Sequence, residues 1–466
     1  MNSNNKRVLS EEVRRFRARF AQGVGAKLGE VVPGGLLMQW VVEEVGRWRN
    51  RVYGPLVTLK LFLEQVLSAD QSCQDAVARG LSERVGLEQA PCSLNSASYC
   101  EARRRLPLGL PTRLAKEVGA RLCSGQPSAW RWRGREVKLV DGTTVSMPDT
   151  LENQARFPQG REQKPGLGFP IARLVAIVSL SCGAVLEWAT AACEGKRTGE
   201  TALLWDLARH FSRGDVVVAD RCYTSYFLIA LLTLLGADIV MRQHQCRSTD
   251  FRRGRHLGKR DHVVIWVRPQ RPAWMDEATY EATPATLILR EVRVGGWTLV
   301  STFTDARAVH KQELLELYRL RWQLELDLRS IKTVMQMDIL RCKSPEMVCK
   351  EIAVHLLAYN LVRAVMAQAA YLAEMPPRRL SFKGTLQLLR AFGQNLRHSP
   401  RGRLALRCAV LLAGIAQLIL PDRPGRVEPR AVKRRPKPHK WLTRPRRALQ
   451  KQLLKQQQRH AAACLT

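Results

Sequence analysis

Three acids and their neighbours have the types and spacing to do chemistry in this sequence. Asp141 closes the apolar run EVKLVD and precedes GTT, and Asp220 closes GDVVVAD and precedes RCY. In each case a strand-like run delivers a carboxylate at its end, where α/β sheets commonly place ligands. An Asp in that position can also simply start a turn or cap a helix. The third acid lies in YRLRWQLELDLRSIK (318–332), which holds both Glu325 and Asp327. On a helix of about 100° per residue counted from Tyr318, Arg321 falls near 300°, Glu325 near 340° and Lys332 near 320°. Leu320, Leu324, Leu328 and Ile331 fall between about 200° and 280°, a stripe that would seat the helix on a sheet, and Asp327 falls near 180°. The wheel therefore predicts Glu325 among Tyr318, Arg321 and Lys332, and Asp327 as a solvated charge.

Three carboxylates flanked by Arg, Lys and Tyr suit phosphoryl transfer on a polyanion. Such carboxylates hold two divalent ions about 3.5–4 Å apart, one activating a water or a DNA 3′-OH and the other stabilising the leaving oxygen. Mg²⁺ (or Mn²⁺) suits carboxylate and water ligands with positions left open for phosphate. Arg321 and Lys332 would hold the non-bridging phosphate oxygens.

The bulk composition agrees with a polyanionic partner. Among 466 residues, 75 Lys and Arg face 41 Asp and Glu, a net charge of +34. Such a surface steers a protein onto nucleic acid. The excess is mostly Arg, which suits bidentate phosphate contacts better than a membrane surface. The longest apolar stretch, LALRCAVLLAGIAQLIL (404–420), contains Arg407 and Gln417 and reads as a buried helix rather than a span. The polar, basic opening MNSNNKRVLSEEVRRFRARF does not read as a signal peptide. Twelve scattered cysteines form no CxxC pair and nine histidines form no HExxH, which argues against zinc sites and points to a reducing cytoplasm.

The elements that must position the acids are legible as a change of texture along the chain. Residues 1–130 read as a helical, DNA-binding N-terminal domain. Within it SLNSASYCEARRRL (93–106), preceded by QSCQDAVARGLSERV, fits either the recognition helix of a helix-turn-helix or a solvated basic helix in a packed bundle. From 131 to 373 the pattern predicts three strands, a helix (198–211), a strand, a helix (224–236) and a strand, an α/β domain with a mixed sheet. A basic and then β-rich segment at about 244–305 interrupts it, and helical periodicity resumes near 308. Residues 374–422 read as a helical C-terminal region. The tail 423–466 carries fourteen Lys and Arg against Glu428 alone, which leaves open a DNA grip or a solubility device.

Tyr318, Arg321, Glu325 and Lys332 match the YREK signature of the insertion-sequence-4 family of DDE transposases. DGTT at Asp141, DRCY at Asp220 and LLAYNLVR (356–363) resemble that family's flanking motifs over roughly 130–370. The resemblance implies a ribonuclease H-like catalytic core with a β-rich insertion between the second Asp and the Glu helix. It implies Asp141, Asp220 and Glu325 as catalytic, metal-binding residues, with Tyr318, Arg321 and Lys332 as phosphate and terminus contacts. It implies cleavage at inverted-repeat ends, which can proceed through a DNA hairpin, and transfer into target DNA by a synaptic homodimer. A hairpin needs a flipped base held by stacking, for which Trp322, Trp297 and Trp266 are candidates besides ordinary packing. Arg221 either contacts phosphate or braces the site. The competing class is a catalytically silent, domesticated transposase that only binds DNA, against which stands the presence of all three acids and all of YREK; a structure-specific nuclease on the same fold is a weaker third.

Overall fold

In the computed structural model, residues 34–48, 51–397, 400–421 and 442–463 are described. They form a mixed α/β protein around one nine-stranded sheet, mostly antiparallel. The strands are β1 (Val137–Ser146), β2 (Ile171–Ser179), β3 (Val185–Ala192), β4 (Val216–Ala219), β5 (Asp238–Arg242), β6 (Arg255–Gly258), β7 (Asp261–Val267), β8 (Thr286–Val294) and β9 (Trp297–Ser301). Their order is β3-β2-β1-β4-β5-β9-β8-β7-β6. β4 and β5 run parallel to β1 and to each other, and every other neighbouring pair is antiparallel. The basic and β-rich segment is therefore not a separate unit: β9 adds to β5 and carries β6, β7 and β8 onto the same sheet.

VVVA of β4 is fully buried because helices cover both faces of the sheet. Alternation decides which side each residue serves. Val140, Val217 and Ala219 pack with Leu203, Leu204, Tyr223 and Leu228, from the helices on one face. Leu139, Val216 and Val218 belong to the opposite cluster, with Tyr318, Leu324 and the helix Pro345–Leu372. That second cluster also takes in Leu37, Leu59 and Leu114, so the N-terminal helices share the core of the sheet rather than standing apart.

Pro345–Leu372 alone among the described helices is long and apolar enough to cross a membrane, which corrects the expectation of no such segment, but 94% of its most apolar window is buried inside the protein. Arg401–Ala416 is less buried than its composition predicts. Cys408, Leu411, Leu412 and Ile415 face inward, while Leu406 and Val410 are exposed. The tail residues 423–441 lie outside the described residues, and Arg446–Ala463 is a helix with an exposed surface.

LLAYNLVR sits in the middle of the long helix and clamps it. Asn360 Nδ2 donates to the carbonyls of Ala115 and Val185, both at 2.8 Å, and its Oδ1 accepts from the Val185 amide at 2.8 Å. The helix Gly109–Ser124 comes so close there that a Cβ on Gly119 would stand 2.3 Å from the Val185 carbonyl oxygen. Replacing Asn360, which is fully buried, with leucine removes these three hydrogen bonds and is expected to cost roughly 3 kcal/mol. A urea unfolding curve checks this, and an unchanged midpoint would refute it.

Candidate functional site

β1 is longer than β4, and that difference makes the site. Val140 pairs with Ala219, after which β4 ends at Asp220 while β1 continues to Ser146. Asp141 is therefore not at a strand end, and GTT is strand rather than turn. Asp141 is the first residue of β1 past the parallel ladder, and it stands beside Asp220 at the point where the sheet opens. The far end of β1 is tied to the segment after the YREK helix: the Ser146 amide donates to the Asp338 carbonyl at 3.0 Å, and the Leu340 amide to the Ser146 carbonyl at 2.8 Å.

The YREK stretch is not one ideal helix. Lys311–Arg319, opened by a capping box at His310 and Glu313, gives way to Trp322–Arg329 and then to a π-turn over Ser330–Val334. Between the first two, Arg321, Gln323 and Leu324 donate to carbonyls three residues back. Each step of this tighter kind turns the chain roughly 20° further than an α-helical step, so three of them rotate everything downstream by about 60°.

That rotation corrects the reading of Asp327. It swings from the solvent side into the apolar stripe and is 0% exposed. There Arg363 Nη2 donates to its Oδ1, and Arg378 Nη1 donates to its Oδ2 at 2.7 Å. Arg378 also donates to the Leu180 carbonyl at 2.6 Å and to that of Ser179 at 2.8 Å, so this network ties the YREK helix to the end of β2. Leu320, expected in the stripe, is instead 40% exposed, because it sits in the tightened turn.

The four signature residues do converge on the strand ends. Arg321 bridges two acids, with Nη1 3.2 Å from Asp141 Oδ2 and Nη2 2.8 Å from Glu325 Oε1. The Tyr318 hydroxyl donates to Asp220 Oδ1 at 3.4 Å. Lys332 Nζ donates to Thr143 Oγ1 at 3.1 Å. Burial pushes the Asp141 carboxyl up to about 6, against the opposing pull of the Gly142 amide and Arg321; Glu200 and Asp220 add to the rise. Burial also pushes the Tyr318 hydroxyl up to about 12, with Asp220 contributing. Burial alone would lower Arg321, but Tyr318, Glu325 and Asp141 outweigh it and hold the guanidinium above its usual range.

Glu200 is a fourth carboxylate that the motifs do not reveal. It opens the helix Glu200–Leu207 and accepts a hydrogen bond from the Tyr223 hydroxyl at 3.2 Å. A Cβ on Gly142 would lie 2.4 Å from the Glu200 Cδ. The glycine of DGTT therefore admits this side chain beside Asp141. The hint in the sequence was the Asp-Gly pair itself, since a glycine inside a strand marks a close approach. Gly142→Ala must push the flexible Glu200 end aside, so it is expected to spare the fold and, if the site cuts DNA strands as the motif resemblance implies, to slow that cleavage by up to about a hundredfold. Strand-cleavage rates beside a melting curve check this; wild-type rates would refute it.

The aromatic candidates separate clearly. Trp266 is buried, with Nε1 donating to Glu291 Oε1 at 2.7 Å, so it is a core residue and not a base-stacking one. Trp297 is half-buried against Tyr318, ring to ring at 5.4 Å and 74°. Trp322 is 48% exposed beside the site. Arg221 is exposed next to Asp220. Arg103, in the candidate recognition helix Ala97–Arg105, is buried over Phe62 and bonded to Cys73 and Cys342, so its charge is not offered to a ligand.

Residues 132–361 match the family described as Transposase DDE domain. The Transposase InsG for insertion sequence element IS4, from Escherichia coli (strain K12), is 31% identical over 357 residues, covering 72% of this chain and 77% of that protein. The chain belongs to the insertion-sequence-4 family of DDE transposases. Shorter matches join this transposase to the Putative transposase InsL for insertion sequence element IS186A of the same organism, 30% identical over 87 residues, covering 19% of this chain and 23% of that one. A solved piggyBac transposase synaptic complex with hairpin DNA aligns with 88% of this chain and 86% of its own, at a TM-score of 0.41 and 11% identity, too distant to say more about the fold. Among the described residues of this transposase, no group of three or more His, Cys, Asp and Glu stands close enough to hold a metal ion, and Arg321 lies between Asp141 and Glu325.

Proposed function

We propose that this transposase cuts DNA at the inverted-repeat ends of its element and joins the freed 3′ ends to target DNA, with Asp141, Asp220 and Glu325 as the catalytic acids of a ribonuclease H-like core. The observation that carries this reading is the bridge by Arg321 between Asp141 and Glu325. It brings the DGTT strand and the YREK helix to one point, where Tyr318 already touches Asp220. The strand order β3-β2-β1-β4-β5, antiparallel across the first three and parallel across the last three, supports that core.

The donor set suits two Mg²⁺ or Mn²⁺ ions. It is made only of carboxylate oxygens, and Asp141 is raised by burial with Glu200 and Asp220 beside it, a crowding of negative charge that a divalent cation relieves. When bound, such ions supply an activated nucleophile and a charge partner for the leaving oxygen. The chain's own residues do the rest. Arg321 exchanges its carboxylates for the non-bridging oxygens of the scissile phosphate, which frees Asp141 and Glu325. Lys332, held by Thr143 on β1, adds a second positive charge to the same phosphate. Tyr318, braced by Trp297, orients Asp220. Arg221 contacts the neighbouring phosphate. If excision passes through a hairpin, exposed Trp322 or Trp297, packed on Tyr318, stacks on the flipped base. A homodimer would hold the two ends together.

Purified protein incubated with the element's ends and Mg²⁺ or Mn²⁺ should release cut strands. Binding without cleavage in either metal would overturn the reading and favour a silent, DNA-binding transposase.

A further inference from the structure

Strand directions place two hairpin turns of the β-rich segment on the same edge of the sheet as the acids. β5 runs parallel to β4, so Arg242 ends its strand next to the level of Asp220. β9 is antiparallel to β5 and begins at Trp297, so the β8–β9 turn at Gly295 and Gly296 lies on that edge. β7 pairs Asp261 with Val292, which puts the β6–β7 turn at Lys259 and Arg260 on it too, and the Arg293 amide donates to the Arg260 carbonyl at 2.9 Å.

Four cations follow this edge outward from the site: Arg242, Arg293, Arg260 and Lys259. The last three are exposed, and none of the four forms an ion pair among the described residues. This differs from the preceding loop, where Asp250 takes up Arg252 and Arg253. Buried contacts lie behind it. Arg247 stacks 3.5 Å over Trp266, whose Nε1 is bonded to Glu291, and His262 Nε2 lies 3.3 Å from the same carboxylate.

We infer that this edge is a track for the phosphate backbone of duplex DNA, leading away from the cleavage point along β5, β9, β8, β7 and β6. The inference rests on the DNA-cleaving reading and adds the surface over which the substrate lies. Strands are about 4.8 Å apart, so four intervals span roughly 19 Å. At about 3.4 Å per phosphate along one strand, the track meets five or six phosphates. Its contacts go to phosphates, so it positions the duplex without reading sequence.

The test compares two double variants of equal charge change. Arg260→Gln with Arg293→Gln removes two of the track's four charges, and Arg209→Gln with Arg213→Gln removes two cations preceding β4, at the opposite edge. Binding to a mixed-sequence duplex is measured across a salt series. Each phosphate contact contributes about 0.9 to the logarithmic salt slope, so the track variant should lose about 1.8 of slope and on the order of tenfold in affinity. The opposite-edge variant should keep both, and both variants should melt like the wild type. Equal losses in the two variants, or none in the track variant, would overturn the track while wild-type cleavage still upholds the chemistry. A wild-type protein that binds no duplex would overturn both.

Discussion

Asp327→Ala should lower folding stability by about 3–5 kcal/mol, the scale for removing one partner of a buried ion pair. The carboxylate is 0% exposed and faces two arginines. Without it, Arg363 and Arg378 remain as buried charges with no acid to meet. Arg378 would keep its bonds to Ser179 and Leu180, and Arg363 its bond to the Tyr359 hydroxyl, so the loss is that of the charge pair rather than of every contact. Urea unfolding followed by circular dichroism measures it, with Glu325→Ala as the reference. Equal midpoints for the two variants would sink the prediction. The consequence for activity is direct: an inactive Asp327→Ala protein would report a lost fold and not a lost catalytic acid. A test that reads only cleavage would misassign it.

Glu325→Gln should behave in the opposite way. Its side chain is 34% exposed and its partner Arg321 keeps Asp141, so stability should change by no more than about 1 kcal/mol. Cleavage should fall by on the order of a thousandfold or more, since a catalytic carboxylate of this kind is worth several kcal/mol in the transition state. Binding of DNA ends should persist or tighten, because one negative charge facing the phosphates is removed. A single-turnover cleavage assay beside a binding titration separates these effects. Cleavage within tenfold of the wild type would remove Glu325 from the catalytic set.

The contrast between these two acids, two residues apart, measures what could be read in advance. The spacing of Glu325 from Tyr318, Arg321 and Lys332 points to the site, and although the same tight turns rotate Glu325, Arg321 still reaches it and Lys332 still reaches Thr143. Asp327 was misplaced because a uniform 100° step cannot see three tighter turns, and nothing local in RWQLEL announces them. Asp141 reads in the sequence as a strand-end residue, but β1 continues past it and it is the neighbouring β4 that ends there. Trp266 and Trp322 are alike in a sequence, and only packing makes one a core residue bonded to Glu291 and leaves the other exposed. For Glu200 the sequence offers only the glycine of DGTT as a hint, because its partners Gly142 and Tyr223 lie far from it along the chain.

By itself the sequence determined the basic surface, the α/β alternation, the order of the three acidic motifs and membership of a transposase family. These depend on composition and short-range spacing, which a linear chain carries openly. Tertiary structure alone decided that the β-rich segment joins the central sheet through β9, that Arg321 sits between two acids, and that Asp327 is buried. These depend on strand pairing and helix rotation, which are set by contacts between segments far apart in the chain.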